Sequence, residues 1–213
     1  MVKQDRRQSR SDAIGIGNLA QAKVPIHKNS LALIAAGSNL PSTSGDSART
    51  IVDAIACLPG EMGALVSISR LFRTPAFPKG SGPDFVNAVC ALRTEWQAAE
   101  ILARLHVIEA EAGRERHGRW QARTLDLDLI ALGDEVWPDL EGQKDWMALD
   151  PARQRVEAPD RLILPHPRLQ DRAFVLIPLA DICPAWRHPV TGATVPDMIA
   201  ALPEADKEAI WPV

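Results

Sequence analysis

The 213-residue sequence contains no tyrosine and only three cysteines. Without tyrosine, stacking against a flat ligand falls to its four phenylalanines and six tryptophans. Cys57, Cys90 and Cys183 are odd in number and far apart, so the sequence carries neither a disulfide framework nor a metal or redox spacing. A reducing cytoplasm is the expected setting. No apolar run approaches the roughly 20 residues that span a bilayer. The first residues are charged where a signal peptide would be apolar, so no membrane partner is expected. The phosphate-cradling G-x-x-x-x-G-K-[ST] loop is missing, and so is the glycine-rich loop, lysine and His-Arg-Asp set of protein kinases. There is no internal repeat and no low-complexity tract.

What is present describes an ordinary globular chain, 46% hydrophobic and 24% charged. Its length suits one domain with appendages. The net charge of −3 is unevenly spread, because residues 1–28 hold six basic and two acidic residues, a balance of +4 that leaves −7 elsewhere. An acidic body lacks the basic face that general nucleic-acid binding requires. Residues 1–29 are aperiodic and read as a flexible N-terminal extension.

Order begins at Leu31–Ala36, a short apolar run closed by Gly37 and read as a buried strand. Ser47–Leu58 has helical spacing, and Pro59-Gly60 ends it. Leu65–Phe72 alternates like a strand at a sheet margin, and a proline- and glycine-rich loop fills 74–84. Phe85–Leu92 is the next strand, and Glu95–Ala112 the longest helix. Thr124–Ala131 is a strand of strict alternation. Residues 137–160 read as an irregular surface insertion, Ala173–Ala180 is apolar throughout, and a hairpin near Pro189–Gly192 precedes a short helix at Met198–Leu202. The order strand–helix–strand–strand–helix–strand predicts an α+β fold, a ferredoxin-like α/β/α sandwich around a mainly antiparallel sheet. One domain would fill 30–213.

The sharpest chemical signal is Asp126-Leu127-Asp128, because side chains two apart on a strand share a face. Two carboxylates beside core leucines are costly unless neutralised. Magnesium does this well, taking one or two carboxylates and completing its shell with water and phosphate oxygens. Taken alone, the pattern fits equally an edge strand whose acidic face meets water. The approach to this strand shifts the balance, since Gly113–Arg123 contains Arg114, Arg116, Arg119 and Arg123. Guanidinium forks match phosphate oxygens. Carboxylates for a metal beside guanidiniums are what a nucleoside triphosphate requires. His166 sits between Pro165 and Pro167, which fix its backbone. Phe85, Asn87 and Phe174 would suit a planar heterocycle if the fold brings them together; core packing explains the phenylalanines equally well.

Six motifs occur in order: Gly37-Ser-Asn-Leu40, Ser69-x-x-Phe72-Arg-Thr-Pro75, Asp84-Phe-Val-Asn87, Ile108-Glu109 with Gly113-Arg114, Arg119-Trp-x-x-Arg-Thr-Leu-Asp-Leu-Asp128, and Leu164-Pro-His-Pro with Asp171-Arg-Ala-Phe174. Together they resemble the hydroxymethyl-dihydropterin pyrophosphokinases of folate biosynthesis, over about residues 31–202. The resemblance implies that Asp126 and Asp128 hold two Mg2+ ions against ATP. It implies that Phe85 and Phe174 sandwich a pterin, with Asn87 and the backbone near Thr74 and Phe77 at its edge. Arg114, Arg123, His166 and Arg172 would grip phosphates. Glu109, Leu129, Arg161 and Ile163 would line the nucleotide, as would His106, which stands where some relatives have glutamine. Trp120 would ride on a mobile loop.

The implied enzyme is a cytoplasmic monomer that moves a pyrophosphoryl group from ATP to the pterin hydroxymethyl group and releases AMP. Two rivals remain. A nucleotidyltransferase also carries Gly-Ser and a D-x-D strand, but there the Gly-Ser lies just before the carboxylates. An RNA-binding ferredoxin-like module would need exposed strand aromatics on a basic sheet.

Overall fold

The computed structural model describes residues 29–43, 45–76, 80, 82–113, 123–150, 153 and 157–213. Their order is β1 (Ser30–Ser38), α1 (Ser47–Ala56), β2 (Ala64–Ile68), β3 (Phe72–Thr74), β4 (Phe85–Thr94), α2 (Ala98–Glu111) and β5 (Asp126–Leu132), followed by α3 (Leu140–Met147). A 3-10 turn (Leu169–Asp171), α4 (Ala173–Ile182), α5 (Val195–Ala201), α6 (Glu204–Glu208) and the two-residue β6 (Trp211–Pro212) complete it. The sheet runs β5-β1-β4-β3-β6, with β2 also on β4. The pairings are antiparallel, which is the expected split βαβ arrangement.

Alternation along the strands divides the core into two layers. Ala32, Ile34 and Ala36 of β1 with Val86, Ala88, Cys90 and Leu92 of β4 pack under Ile51 and Ile55 of α1 and Ile101, Leu105 and Ile108 of α2. The opposite parity, Leu33, Val89 and Ala91, packs under Val175, Leu176 and Leu179 of α4 and Val195 and Met198 of α5. Helices therefore cover both faces. The caps explain where the helices start: Asp46 accepts from the Arg49 N–H at 2.9 Å at α1, and Glu100 accepts from the Gln97 N–H at 2.8 Å at α2. Arg70 grips Asp181 through Nε at 2.9 Å and Nη2 at 2.8 Å, which ties α4 to the β2–β3 junction.

Two segments differ from the sequence reading, and the structure gives a third its element. The Leu65–Phe72 run breaks into β2 and β3, because the Ser69 hydroxyl takes the Val89 N–H at 3.0 Å in place of a regular ladder contact. The apolar 173–180 run is a helix; an apolar run has no period by which strand and helix could be told apart. The 137–160 segment is not irregular throughout. It holds α3, capped by Asp139 on the Gly142 N–H at 2.8 Å. The tail hairpin is present, with an Arg187–Thr194 bridge, and the helix after it is α5.

Candidate active site

Register builds the site. Phe72, Asn87, Gly37 and Asp126 lie opposite one another across β3, β4, β1 and β5. Thr74 faces Phe85, and Asp128 faces Ala35. All belong to the parity of the α4 layer, yet they stand at the strand ends beyond its apolar cluster. A polar row therefore borders a hydrophobic layer on one sheet face. Asn87 donates to the Thr74 hydroxyl at 2.9 Å, which fixes the direction of its amide. Gly37 leaves a hollow in the row, where an added Cβ would lie 3.0 Å from Asn87 Oδ1.

Strand β5 is a sheet edge, and side chains satisfy its outer side. The Leu127 N–H donates to Glu109 Oε1 at 2.8 Å, so an α2 carboxylate clasps the strand. Ile130 is an extra residue in the β1–β5 register, and its carbonyl accepts the His166 N–H at 2.9 Å. This bulge shifts the phase, so Leu125, Leu127 and Leu129 face one layer while Ile130 and Ala131 both face the other. It also brings His166 beside the carboxylates.

Each aspartate meets an arginine. Arg123 pairs with Asp126, and Arg172 Nη1 stands 3.8 Å from Asp128. Burial lowers the Arg172 guanidinium from its usual pKa, and Asp128 pulls it back up. The Arg172 Cζ also lies 5.6 Å from the Phe174 ring centroid. His166 is pushed down to about 3 by burial and by the positive charges of Arg172 and Arg168. Its Nδ1 accepts the Arg168 N–H at 3.1 Å, so the neutral ring carries its proton on Nε2.

The fold thus gathers Thr74, Phe85, Asn87, Arg123, Asp126, Asp128, His166, Arg172 and Phe174 at one end of the sheet. Others lie apart. His106 is exposed on α2, on the far face, and Arg161 is exposed. The side chains of Leu129 and Ile163 are buried, as is Glu109. Phe77, Arg114, Arg116, Arg119 and Trp120 fall outside the described residues. In the sequence Asn39 figures only within the Gly37-Ser-Asn-Leu40 motif, whereas its side chain accepts the Arg123 N–H at 2.7 Å and donates to the Pro83 carbonyl at 3.1 Å.

The carboxylates suit a hard cation, since magnesium needs only one or two protein oxygens when phosphates and water supply the rest. Among the described residues no group of three or more His, Cys, Asp or Glu converges.

Comparison with known proteins agrees. Residues 33–184, more than half of the chain, match the family model of 7,8-dihydro-6-hydroxymethylpterin-pyrophosphokinase. The chain is 39% identical to the 2-amino-4-hydroxy-6-hydroxymethyldihydropteridine pyrophosphokinase of Synechocystis over 145 residues, 68% of this chain and 62% of that one. It is 36% identical to the Pseudomonas aeruginosa protein of the same name, over 80% of this chain and 90% of that one. A Plasmodium falciparum HPPK-DHPS structure with pterin and p-hydroxybenzoate shares the fold, with a TM-score of 0.60 at 12% identity over 87% of this chain and 47% of that one. The chain belongs to the 7,8-dihydro-6-hydroxymethylpterin-pyrophosphokinase family.

Proposed function

We propose that this protein transfers the pyrophosphoryl group of ATP to the hydroxymethyl group of 6-hydroxymethyl-7,8-dihydropterin, releasing AMP, in folate biosynthesis. The observation that carries this reading is the Asn87–Gly37–Asp126 row. Neighbouring strands lie about 4.8 Å apart, so the amide and the carboxylate are about 10 Å apart. A bicyclic heterocycle with a one-carbon arm bridges such a gap and delivers its hydroxyl beside the aspartates.

Asn87 and the backbone near Thr74 and Phe77 would read the pterin edge, with Phe85 and Phe174 flanking the ring. Asp126 and Asp128 would hold Mg2+, two ions in our reading, which when bound neutralises phosphate charge. Arg114, Arg123 and Arg172 would grip phosphate oxygens, and His166 would donate its Nε2–H to one. The guanidiniums of Arg123 and Arg172 lie beside Asp126 and Asp128, which supports their meeting phosphate oxygens there. Glu109 holds β5 in place, and the Leu129 backbone, two residues after Leu127, turns to the same free edge toward the nucleotide. His106, Arg161, Ile163 and Trp120 would complete the nucleotide side.

The pterin oxygen forms the new bond to the β-phosphorus as the bridging bond to the α-phosphate breaks. The hydroxyl proton is lost and AMP departs. No side chain stands out as a general base; positioning and electrostatics supply most of the acceleration in such transfers. Residues 30–213 form the catalytic unit, with 1–29 an appendage, and we read it as a cytoplasmic monomer acting on small molecules. No described helix is long and apolar enough to cross a membrane.

A nucleotidyltransferase would release pyrophosphate instead of AMP, and Ser38 lies on β1, far in sequence from Asp126. The test is AMP formation from ATP with the pterin alcohol as acceptor. Pyrophosphate release without pterin diphosphate would overturn the reading.

A further inference from the structure

Helix α3 lies in a segment that none of the recognised motifs covers, yet it reaches the site. Gln143 in its middle is fully buried, with 0% exposure. Its Nε2 donates to the Pro165 carbonyl at 2.9 Å, the peptide that leads directly into His166. The same segment makes two further contacts: the Trp137 N–H donates to the Leu164 carbonyl at 2.8 Å, and the Leu164 N–H returns to Trp137 at 3.2 Å. Downstream, His166 is held by Ile130 and Arg168. The chain before and through His166 is thus pinned by three elements, and α3 supplies the pin nearest the ring on its N-terminal side. Pro138 closes on Gly142, where an added Cβ would lie 3.1 Å from Pro138 Cγ, so α3 is seated tightly at its first turn.

Stability does not account for a glutamine here. Gln143 Oε1 is buried and has no hydrogen-bond partner among the described residues. An unsatisfied buried acceptor costs free energy, and methionine would fill the same volume without it. What the amide adds is its bond to Pro165. We propose that Gln143 is a positioning residue for His166, bracing the Leu164-Pro-His-Pro turn so that the imidazole Nε2–H points at the transferring phosphates. This rests on the reading of His166 as a phosphate donor.

The test uses the full chain with Gln143→Met, His166→Ala and the double variant. Replacing Gln143 removes one orphaned acceptor and creates another at Pro165, so the melting temperature should stay near that of the parent. Turnover should fall about tenfold, the scale on which partners behind a functional group act, with KM for the pterin alcohol almost unchanged. In the His166→Ala background the same substitution should cost nothing more, since residues acting through one another are non-additive. Independent of turnover, the His166 ring nitrogens should shift in the 15N spectrum of Gln143→Met. Additive losses in the double variant, or unchanged 15N resonances, would overturn the brace. A parent enzyme that forms no AMP would instead overturn the activity, and the 15N comparison would still decide the brace.

Discussion

Gly37 and Asn87 sit opposite each other on β1 and β4, and a methyl group on Gly37 would press to 3.0 Å from Asn87 Oδ1. The amide is already committed to Thr74 on its Nδ2 side, so it cannot swing away from an intruding Cβ without breaking that bond. Gly37→Ala should therefore weaken pterin binding by about tenfold, the equivalent of about 1.4 kcal/mol and near the value of one hydrogen bond. ATP affinity should hold. Calorimetric titration of each ligand separates the two, and equal losses for both would disprove a local effect.

Asp126→Asn and Asp128→Asn keep side-chain shape and remove one charge each. Each should lower turnover by about 100-fold or more, the scale for losing a charge-stabilising group, with unchanged circular dichroism. Neither variant should retain magnesium-dependent protection against thermal unfolding. Near-normal AMP formation in either would refute the metal assignment.

The backbone of Arg123 is fixed on both sides, because its carbonyl accepts from the N–H groups of Asn39 and Leu40 at 3.0 and 3.2 Å while its own N–H is held by Asn39. Lysine at this position inherits the charge but neither the fork nor any backbone freedom to compensate. Arg123→Lys should thus reduce kcat far more than it raises the ATP dissociation constant, since charge on the transferring group peaks in the transition state. Single-turnover measurement is the check, and a near-normal rate would mean the arginine acts only as a positive field.

The acid side of the stability curve follows from His166. Folding lowers its pKa from the ordinary histidine value near 6.5 to about 3, so between those limits the unfolded chain binds the extra proton. Stability then rises with pH through that window and is lost as pH falls through it. His188, lowered by burial, adds the same sign. His166→Asn should flatten part of the decline in melting temperature between pH 6.5 and 4. The ring of the unliganded parent should also show no titration near pH 6.5 by NMR; a midpoint there would contradict the neutral state.

Residues 1–28 precede β1, and the family match begins only at residue 33. Deleting them should leave both AMP formation and melting temperature almost unchanged. A drop of several degrees would place them against the body.

The site was legible where chemistry and period coincide. Asp126 and Asp128 stand out because two charges between core leucines and beside an arginine-rich approach need a reason, and their shared face follows from the two-residue repeat. The split βαβ order followed from two helical stretches among alternating ones. What stayed hidden depends on contacts distant in sequence. The bulge at Ile130 is hidden because Leu129-Ile-Ala-Leu132 is apolar throughout, leaving no alternation in which a change of phase would show. Asn39 reaches Arg123 across 84 positions, a distance no local pattern encodes. Gln143 gives no signal at all, since one amide among charged neighbours reads as surface. The run at 173–180 names no element type from sequence, being apolar in every direction.

The bulge at Ile130 carries one more implication, for how the chain tolerates sliding. An edge strand bordered on one side only is free to creep along its neighbour, and a creep of one residue would carry Asp126 inward and Leu127 outward. Here the extra residue works like the pawl of a ratchet: the strand has one seating in which Ile130 bulges, Glu109 meets the Leu127 N–H and His166 meets the Ile130 carbonyl. Loosening that catch, for example with Glu109→Ala, would leave the carboxylates in the sequence but no longer at a fixed address. The reaction would then fail through misregistration, with every reactive group still present.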